Sequence, residues 1–454
     1  MKMINPSTGA VLSYLREDTS PILIDKMHLL RYGRAQWSAV PLEERIKKLE
    51  RFNMLLERHT ERLAGLLTKE VGKPMQQSRN EIKGACARVQ WMTDNALRYL
   101  SDEWVTDTPA LREKISYEPL GIICNISAWN YPYLVGVNVF VPALLAGNAV
   151  MYKPSEYAIL TGFEIEKLLY QAGVNELAFK VAVGDKAVGE YLLTQDYDGY
   201  FFTGSYKTGK HIYEKVASKM VPCQLELGGK DPLYVADDIT DIAAVAAATA
   251  DGAFYNNGQS CCAVERIYVH EKVYDAYIDA FVKTVRSWKL GFPTDEGVYF
   301  GAITRADQLA VLELHVNEAR AKGATLLLGG KRIKHEGNYF EPTILTDVDN
   351  NMKIMREESF GPVIGIMKVQ NDGEAIKLMN DTEYGLTASV YSSDGDRAQK
   401  ILAAINSGTG YWNCCDRVSA GVPWSGRKHS GFGTTLSHQG LRAFTKTKSW
   451  QMKP

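Results

Sequence analysis

Apolar positions along the chain change rhythm three times. Up to about residue 100 they recur every three or four residues, and the whole stretch reads as helical. Ile46, Leu49, Leu56, Leu63, Leu67 and Val71 form one buried stripe. Pro41 ahead of Leu42-Glu43-Glu44-Arg45 predicts a first turn, with acidic side chains where a helix N-terminus favours them. Gly72 and Pro74 end the stripe, and a second helical stretch is predicted from about Met75 to Leu100.

From Gly121 to Gly229 short apolar runs alternate with longer amphipathic ones. Strands are predicted at Gly121 to Ile126, Ala149 to Tyr152, Phe179 to Val183, Gly199 to Phe202 and Cys223 to Leu227. Helices are predicted between them at Val135 to Ala146, Leu160 to Gln171, Ala187 to Thr194 and Thr208 to Ser218. This alternation predicts a doubly wound α/β domain with a parallel sheet, which binds ligands beyond the C-terminal ends of its strands. A second α/β stretch runs from about Gly229 to Ser425. It holds a predicted helix at Asp241 to Tyr255, a strand at Arg266 to His270 and a helix at Val273 to Trp288. The tail from Thr445 to Trp450 alternates in strand fashion. No repeat, low-complexity segment or flexible linker interrupts the chain.

Composition narrows the classes. A length of 454 residues allows two or three domains. Lys and Arg total 52 against 53 Asp and Glu, so a nucleic-acid or anionic-membrane surface is not expected. The start carries no apolar leader, and no apolar run approaches the roughly 20 residues of a spanning helix. Seven cysteines, an odd count without any C-x-x-C pair, point to a reduced, cytoplasmic protein without a disulfide framework. Neither HExxH nor clustered His and Cys spacing is present, so no metal is expected.

Three motifs carry candidate chemistry. Gly258-Gln259-Ser260-Cys261-Cys262 sets a thiol just after a turn. A free Cys is most often a small buried hydrophobe, but a turn before an element start can expose a thiolate. Cys262 is the structural thiol of the pair. Leu225-Glu226-Leu227-Gly228-Gly229 holds a carboxylate between apolar neighbours. A surface strand Glu is the ordinary reading; an apolar setting would raise its pKa and suit a general base. Ser127-Ala128-Trp129-Asn130-Tyr131-Pro132 holds either a turn Asn or an oxyanion donor acting with the Cys261 N–H.

Three further segments suit a dinucleotide. Phe202-Thr203-Gly204-Ser205 with Gly209 follows a strand and opens a helix, as a pyrophosphate site does, although the spacing is not GxGxxG. Lys153-Pro154-Ser155-Glu156 ends a strand, and Lys153 and Glu156 can hold ribose hydroxyls. A carboxylate there repels a 2′-phosphate and favours NAD over NADP, with NADP still open. Glu358-Ser359-Phe360-Gly361-Pro362 offers a carboxylate for the nicotinamide ribose and an aromatic face for the ring, or simply a Gly-Pro turn.

Taken in order, these segments resemble the aldehyde dehydrogenase superfamily over nearly the whole chain. Ile4-Asn5-Pro6-Ser7-Thr8-Gly9, Asn380-Asp381-Thr382-Glu383-Tyr384-Gly385-Leu386 and Ser430-Gly431-Phe432-Gly433 add to the match. The resemblance implies a Rossmann-like NAD-binding domain (1–100 and 120–228), an α/β catalytic domain (229–425) and a small β oligomerisation element (101–119 and 426–454). It implies a homodimer or homotetramer acting on a small-molecule aldehyde. Cys261 would attack the aldehyde, Asn130 would hold the oxyanion, and Glu226 would activate water against the thioester. Trp129, Ser155, Leu227 and Gly228 join the implied cofactor residues. Val139 stands where many members carry Lys, which leaves a relay through that Lys without its residue.

The overall pattern resembles the bacterial succinate-semialdehyde group, including Leu436-Ser437-His438. The two Arg positions that relatives use for the distal carboxylate are Asn138 and Tyr255 here. Arg417 in the loop Trp412 to Ser419 is a candidate substitute, and Arg266 reads as structural. Tyr133, Tyr255, Trp412 and Trp424 offer instead an aromatic pocket for apolar or cationic aldehydes. Alternatives are a CoA-acylating dehydrogenase, a cysteine hydrolase using His270, and a non-catalytic paralogue.

Overall fold

The computed structural model describes residues 1–334 and 336–453. The chain opens on an antiparallel hairpin, β1 (Lys2–Ile4) and β2 (Val11–Tyr14), where helix was expected. The sequence between them forbids a helix. Pro6 lacks an N–H, Gly9 takes a positive φ of 70°, and its N–H closes a turn onto the Asn5 carbonyl at 2.8 Å.

Four helices follow: α1 (Ser20–Ser38), α2 (Leu42–Arg58), α3 (Thr60–Val71) and α4 (Met75–Leu100). The predicted stripe is buried, with Leu49, Leu56, Leu63 and Leu67 fully enclosed against α4 and the helices that follow it. Strands β3 (Glu103–Asp107) and β4 (Arg112–Pro119) then form an antiparallel ribbon.

The next segment is the predicted alternation: β5 (Ile122–Ile126), α5 (Pro132–Leu145), β6 (Ala149–Lys153), α6 (Ile159–Gln171), β7 (Phe179–Val181), α7 (Lys186–Thr194), β8 (Gly199–Thr203), α8 (Tyr206–Val216) and β9 (Cys223–Glu226). These strands are parallel in the order β9-β8-β5-β6-β7. The chain reverses direction across β5, so the ends of β5 and β8 form the crevice where such sheets take ligands.

A second sheet of seven strands is centred on β10 (Asp231–Val235) and β11 (Val264–His270), with α9 (Ile242–Phe254) and α10 (Tyr274–Ser287) beside them. Its remaining strands are Thr325–Leu328, Thr343–Thr346, Val363–Val369, Thr387–Tyr391 and Thr409–Trp412, and only the edge pair of Thr325–Leu328 is antiparallel.

The tail contributes to two sheets. Gly431–Phe432 pairs antiparallel with β9, and only Thr445–Met452 joins β4 and β3. A Cβ on Gly431 would lie 2.0 Å from the Leu225 carbonyl, so this crossing requires glycine. The detour carries Thr435 to the end of β9.

Helix α6 shows how the layers are tied. Its N-cap, Ala158, offers no side-chain acceptor. Glu70 of α3 supplies one instead, taking the N–H groups of Leu160 and Thr161 at 2.7 and 2.8 Å and the Thr161 hydroxyl at 2.6 Å. Glu70→Ala strands these donors in the core. The expected loss is about 1–3 kcal/mol of unfolding free energy, measured by urea denaturation.

Candidate active site

Most of the expected motifs sit where a strand ends; those of Cys261 and Glu358 instead precede a strand. Asn130 follows β5, Lys153 ends β6, Gly204 and Ser205 follow β8, and Glu226 ends β9. Cys261 instead precedes β11, on the loop after α9. That loop is set by three consecutive left-handed residues, Asn256, Asn257 and Gly258, with φ of 53°, 56° and 69°. Asn is among the few non-glycine residues that adopt this conformation.

A single cavity of about 820 Å³ is lined by Asn130, Glu226 and Cys261 together. Its walls also include Trp129, Lys153, Ser155, Glu156, Gly204, Ser205, Leu227, Gly228, Glu358 and Phe360. Gly209 stands behind the wall. A Cβ there would meet Leu227 Cδ2 at 2.5 Å, so its part is to let α8 pack closely.

The glycine pair after Glu226 admits two close approaches. A Cβ on Gly228 would lie 2.3 Å from Glu358 Oε1, and one on Gly229 would lie 2.6 Å from the Cys261 carbonyl oxygen. The Gly229 N–H donates to Glu358 Oε1 at 3.0 Å. Three motifs distant in sequence thus meet at one backbone crossing.

Glu226 is half-buried, and burial pushes its carboxyl up to about 7. A hydrogen bond from the Thr435 hydroxyl and the positive charge of Arg88 pull the other way. A carboxyl balanced near neutrality suits a general base. Asn130 is buried, and its Nδ2 donates to the Gln259 carbonyl at 3.1 Å. That uses one of two amide hydrogens and leaves the other for a ligand.

Cys262 is the enclosed thiol of the pair. It donates to Asp416 Oδ1 at 3.1 Å. Its bond with Cys261, together with burial, pushes its pKa well up. Ser260 Oγ reaches the same Asp416 oxygen at 3.1 Å, and burial holds the Asp416 carboxyl up at about 7.

The cofactor residues fit a dinucleotide. Lys153 is buried, and its ammonium finds only the Pro154 carbonyl, at 3.4 Å, among the described residues. Such an under-partnered donor beside Glu156 suits ribose hydroxyls. Ser205 caps α8, whose N-terminus opens on the cavity with Lys207 and Lys186 nearby. Burial and the charge of Glu265 push Glu358 up to about 8. Glu265 pins the following loop by accepting the N–H groups of Ser359 and Phe360, at 2.8 and 2.9 Å. Phe360 packs edge-on against Trp129, 5.5 Å between centroids.

The expected substrate residues do not gather at this cavity. Tyr133 is enclosed in the core, and Asn138 Oδ1 accepts from Arg88 Nη1 at 2.9 Å. Tyr255 lines a separate cavity of about 730 Å³ with Asn80, Trp288 and Tyr299. Trp412 donates its Nε1 to the Ser392 carbonyl at 3.0 Å, Arg417 is exposed, and Trp424 is buried. Arg266 is fully buried with its guanidinium on backbone carbonyls of Lys230 and Met379. His270 ends β11 whereas Cys261 precedes it, roughly 20 Å away at strand rise, which removes the partner a cysteine hydrolase needs.

Residues absent from the sequence reading are Thr435, Asp416, Arg88, Lys73 and Glu81. Two of them have a local signal: Thr435 lies just beyond the Ser430-Gly431-Phe432-Gly433 motif, and Asp416 lies in the loop Trp412 to Ser419.

Among the described residues no cluster of three or more His, Cys, Asp or Glu side chains is placed to hold a metal ion, and no helix is long and apolar enough to cross a membrane. All seven cysteines are free.

Comparison with known proteins agrees with this geometry. The model of the aldehyde dehydrogenase family matches residues 1–450. The chain is 33% identical to aminoaldehyde dehydrogenase 2 of Zea mays, over 99% of this chain and 91% of the relative. It is 31% identical to the succinate-semialdehyde dehydrogenase [NADP(+)] of Deinococcus radiodurans, over 98% and 93%. The solved structure of an indole-3-acetaldehyde dehydrogenase complexed with NAD+ superposes with a TM-score of 0.96 at 31% identity, covering 100% of this chain and 93% of that one.

Proposed function

The chain belongs to the aldehyde dehydrogenase family and is an NAD(P)-dependent enzyme of that class, and from this premise we propose that it oxidises a small aldehyde to the carboxylic acid through a thioester on Cys261. The observation that carries the reading is the single cavity shared by Asn130, Glu226, Cys261 and the dinucleotide residues.

The Cys261 thiolate attacks the carbonyl carbon, forming a C–S bond and pushing the carbonyl electrons onto oxygen. The Asn130 amide and the Cys261 N–H hold that oxyanion. Lys153, Glu156, Ser205 and Glu358 would hold NAD(P), which would supply the hydride acceptor. Once the hydride has left the former carbonyl carbon, Cys261 carries a thioester. Glu226 takes a proton from water as its oxygen attacks, the thiolate departs, and the acid is released. A base in this position supports hydrolysis over transfer to CoA, and the complete set of three supports an active enzyme over an inert paralogue.

Glu156 supports a preference for NAD, because its carboxylate would face a 2′-phosphate. The free thiols support a reducing, cytoplasmic setting. The outer edge of β3, with Trp104 and Val105 exposed, supports assembly into a homodimer or homotetramer through that ribbon.

Arg88 supports a carboxylated substrate such as succinate semialdehyde. It is buried, and no carboxylate lies within ion-pair distance of it among the described residues. Asp416 favours a second reading, a cationic aldehyde, since it lies beside the same loop.

The test is NADH formation across carboxylated, cationic, aromatic and short aliphatic aldehydes, with NAD and NADP in parallel. The expected result is the highest kcat/KM with a carboxylated aldehyde and NAD. A preference for aminoaldehydes selects the second reading. No turnover with any aldehyde overturns the proposal.

A further inference from the structure

We propose that the buried ion pair between Lys73 and Glu81 is a positioning device for Asn130. It clamps the backbone on both sides of the oxyanion-holding amide and so sets the amide against the nucleophile loop. This inference rests on the aldehyde-oxidising reading above and assigns residues that lie outside the cavity wall.

Both side chains are fully enclosed and form a direct ion pair. Lys73 comes from the turn between α3 and α4, Glu81 from the second turn of α4. Lys73 Nζ donates to the Asn130 carbonyl at 2.8 Å and lies 3.8 Å from the centroid of the Tyr131 ring. Glu81 Oε1 accepts the Tyr133 N–H at 2.9 Å. Between these two anchors Pro132 has no N–H to give, so the pair holds the stretch at both ends. Helix α5 lacks a side chain from its own N-cap, Tyr131, and Glu81 acts in that place, where the helix dipole also favours an anion.

The same carbonyl links to the nucleophile. Asn256 Nδ2 donates to the Asn130 carbonyl at 3.2 Å and to the Gln259 carbonyl at 3.1 Å. Asn130 Nδ2 reaches that Gln259 carbonyl as well. A fixed Lys73 therefore fixes Asn130 relative to the residues just ahead of Cys261.

Stability alone does not account for such a pair. Replacing a buried ion pair with apolar residues of similar volume is often neutral or stabilising, whereas removing one partner leaves a costly bare charge. Geometry does account for it, because a displacement of about 1 Å in a catalytic group can cost about a hundredfold in rate.

The test uses the paired substitution Lys73→Met with Glu81→Met, which removes both charges at similar volume. It is read by single-turnover NADH formation and by NAD affinity from fluorescence titration. The expected result is a rate lower by about 10- to 100-fold with NAD affinity changed less than about twofold. Combined with Asn130→Ala, the pair should cause almost no further loss, because the group it positions is gone. Losses that multiply instead would show a general structural role and overturn the proposal, as would a parent-like rate in the paired variant. Should the paired variant not fold, Glu81→Gln serves. It keeps an acceptor for the Tyr133 N–H and removes the charge that seats Lys73, with the same expected loss and the same cycle against Asn130→Ala. A parent protein that oxidises no aldehyde fails the functional reading itself; an active parent with an unimpaired variant fails only the clamp.

Discussion

Cys261→Ala is expected to lose aldehyde-dependent NADH formation by roughly 10⁴-fold or more, since no other group can form the covalent intermediate. NAD affinity, measured by fluorescence titration, should stay within about twofold, because the substitution leaves Lys153, Glu156, Ser205 and Glu358 in place along the cavity. The informative competitor is Cys262, one residue on. It is enclosed, is not among the residues lining the cavity, and donates its S–H to Asp416 Oδ1. Its thiol is held far above neutrality by its bond with Cys261 and by burial, so almost none is thiolate near pH 7. Cys262→Ala should therefore retain turnover, and Cys261→Ala should not be rescued by its neighbour. Retained turnover in the Cys261 variant would remove the proposed nucleophile.

What depends on short-range order is legible in the sequence. Strand and helix alternation between Gly121 and Gly229 is local periodicity, and the residues that end those strands necessarily face one crevice. Asn130, Lys153, Ser205 and Glu226 could be found in that way. The initial hairpin departs from the expected helix because the turn chemistry of Asn5 to Gly9 forbids one. Helix α5 was visible but its facing was not. Nearly every side chain from Pro132 to Leu145 is buried, so periodicity offers no solvent face from which to deduce an inner one. Tyr133 and Asn138 are both buried on this helix, a placement its pattern does not reveal. Lys73, Glu81 and Arg88 act across about fifty residues of sequence or through backbone atoms, and neither relation leaves a local pattern.

The same crossing of the tail governs the second large effect. Glu226→Gln removes the proposed base but leaves Cys261 and Asn130 in place. The expected progress curve is a burst of about one NADH per active site followed by a steady rate slower by roughly 10²- to 10⁴-fold. In the parent the base must be ionised. Its carboxyl is held up to about 7 by burial, opposed by Thr435 and Arg88. Steady turnover limited by thioester hydrolysis should thus be half-maximal near pH 7 and fall about tenfold per unit below it. Thr435→Val removes the hydrogen bond that favours the carboxylate, so its pH profile should shift upward while the burst amplitude holds. Stopped-flow absorbance at a series of pH values measures burst and steady phase together. A Glu226→Gln steady rate equal to that of the parent would take the base role away from Glu226. A burst lost along with the steady rate would move the residue to the first, bond-forming half of the reaction.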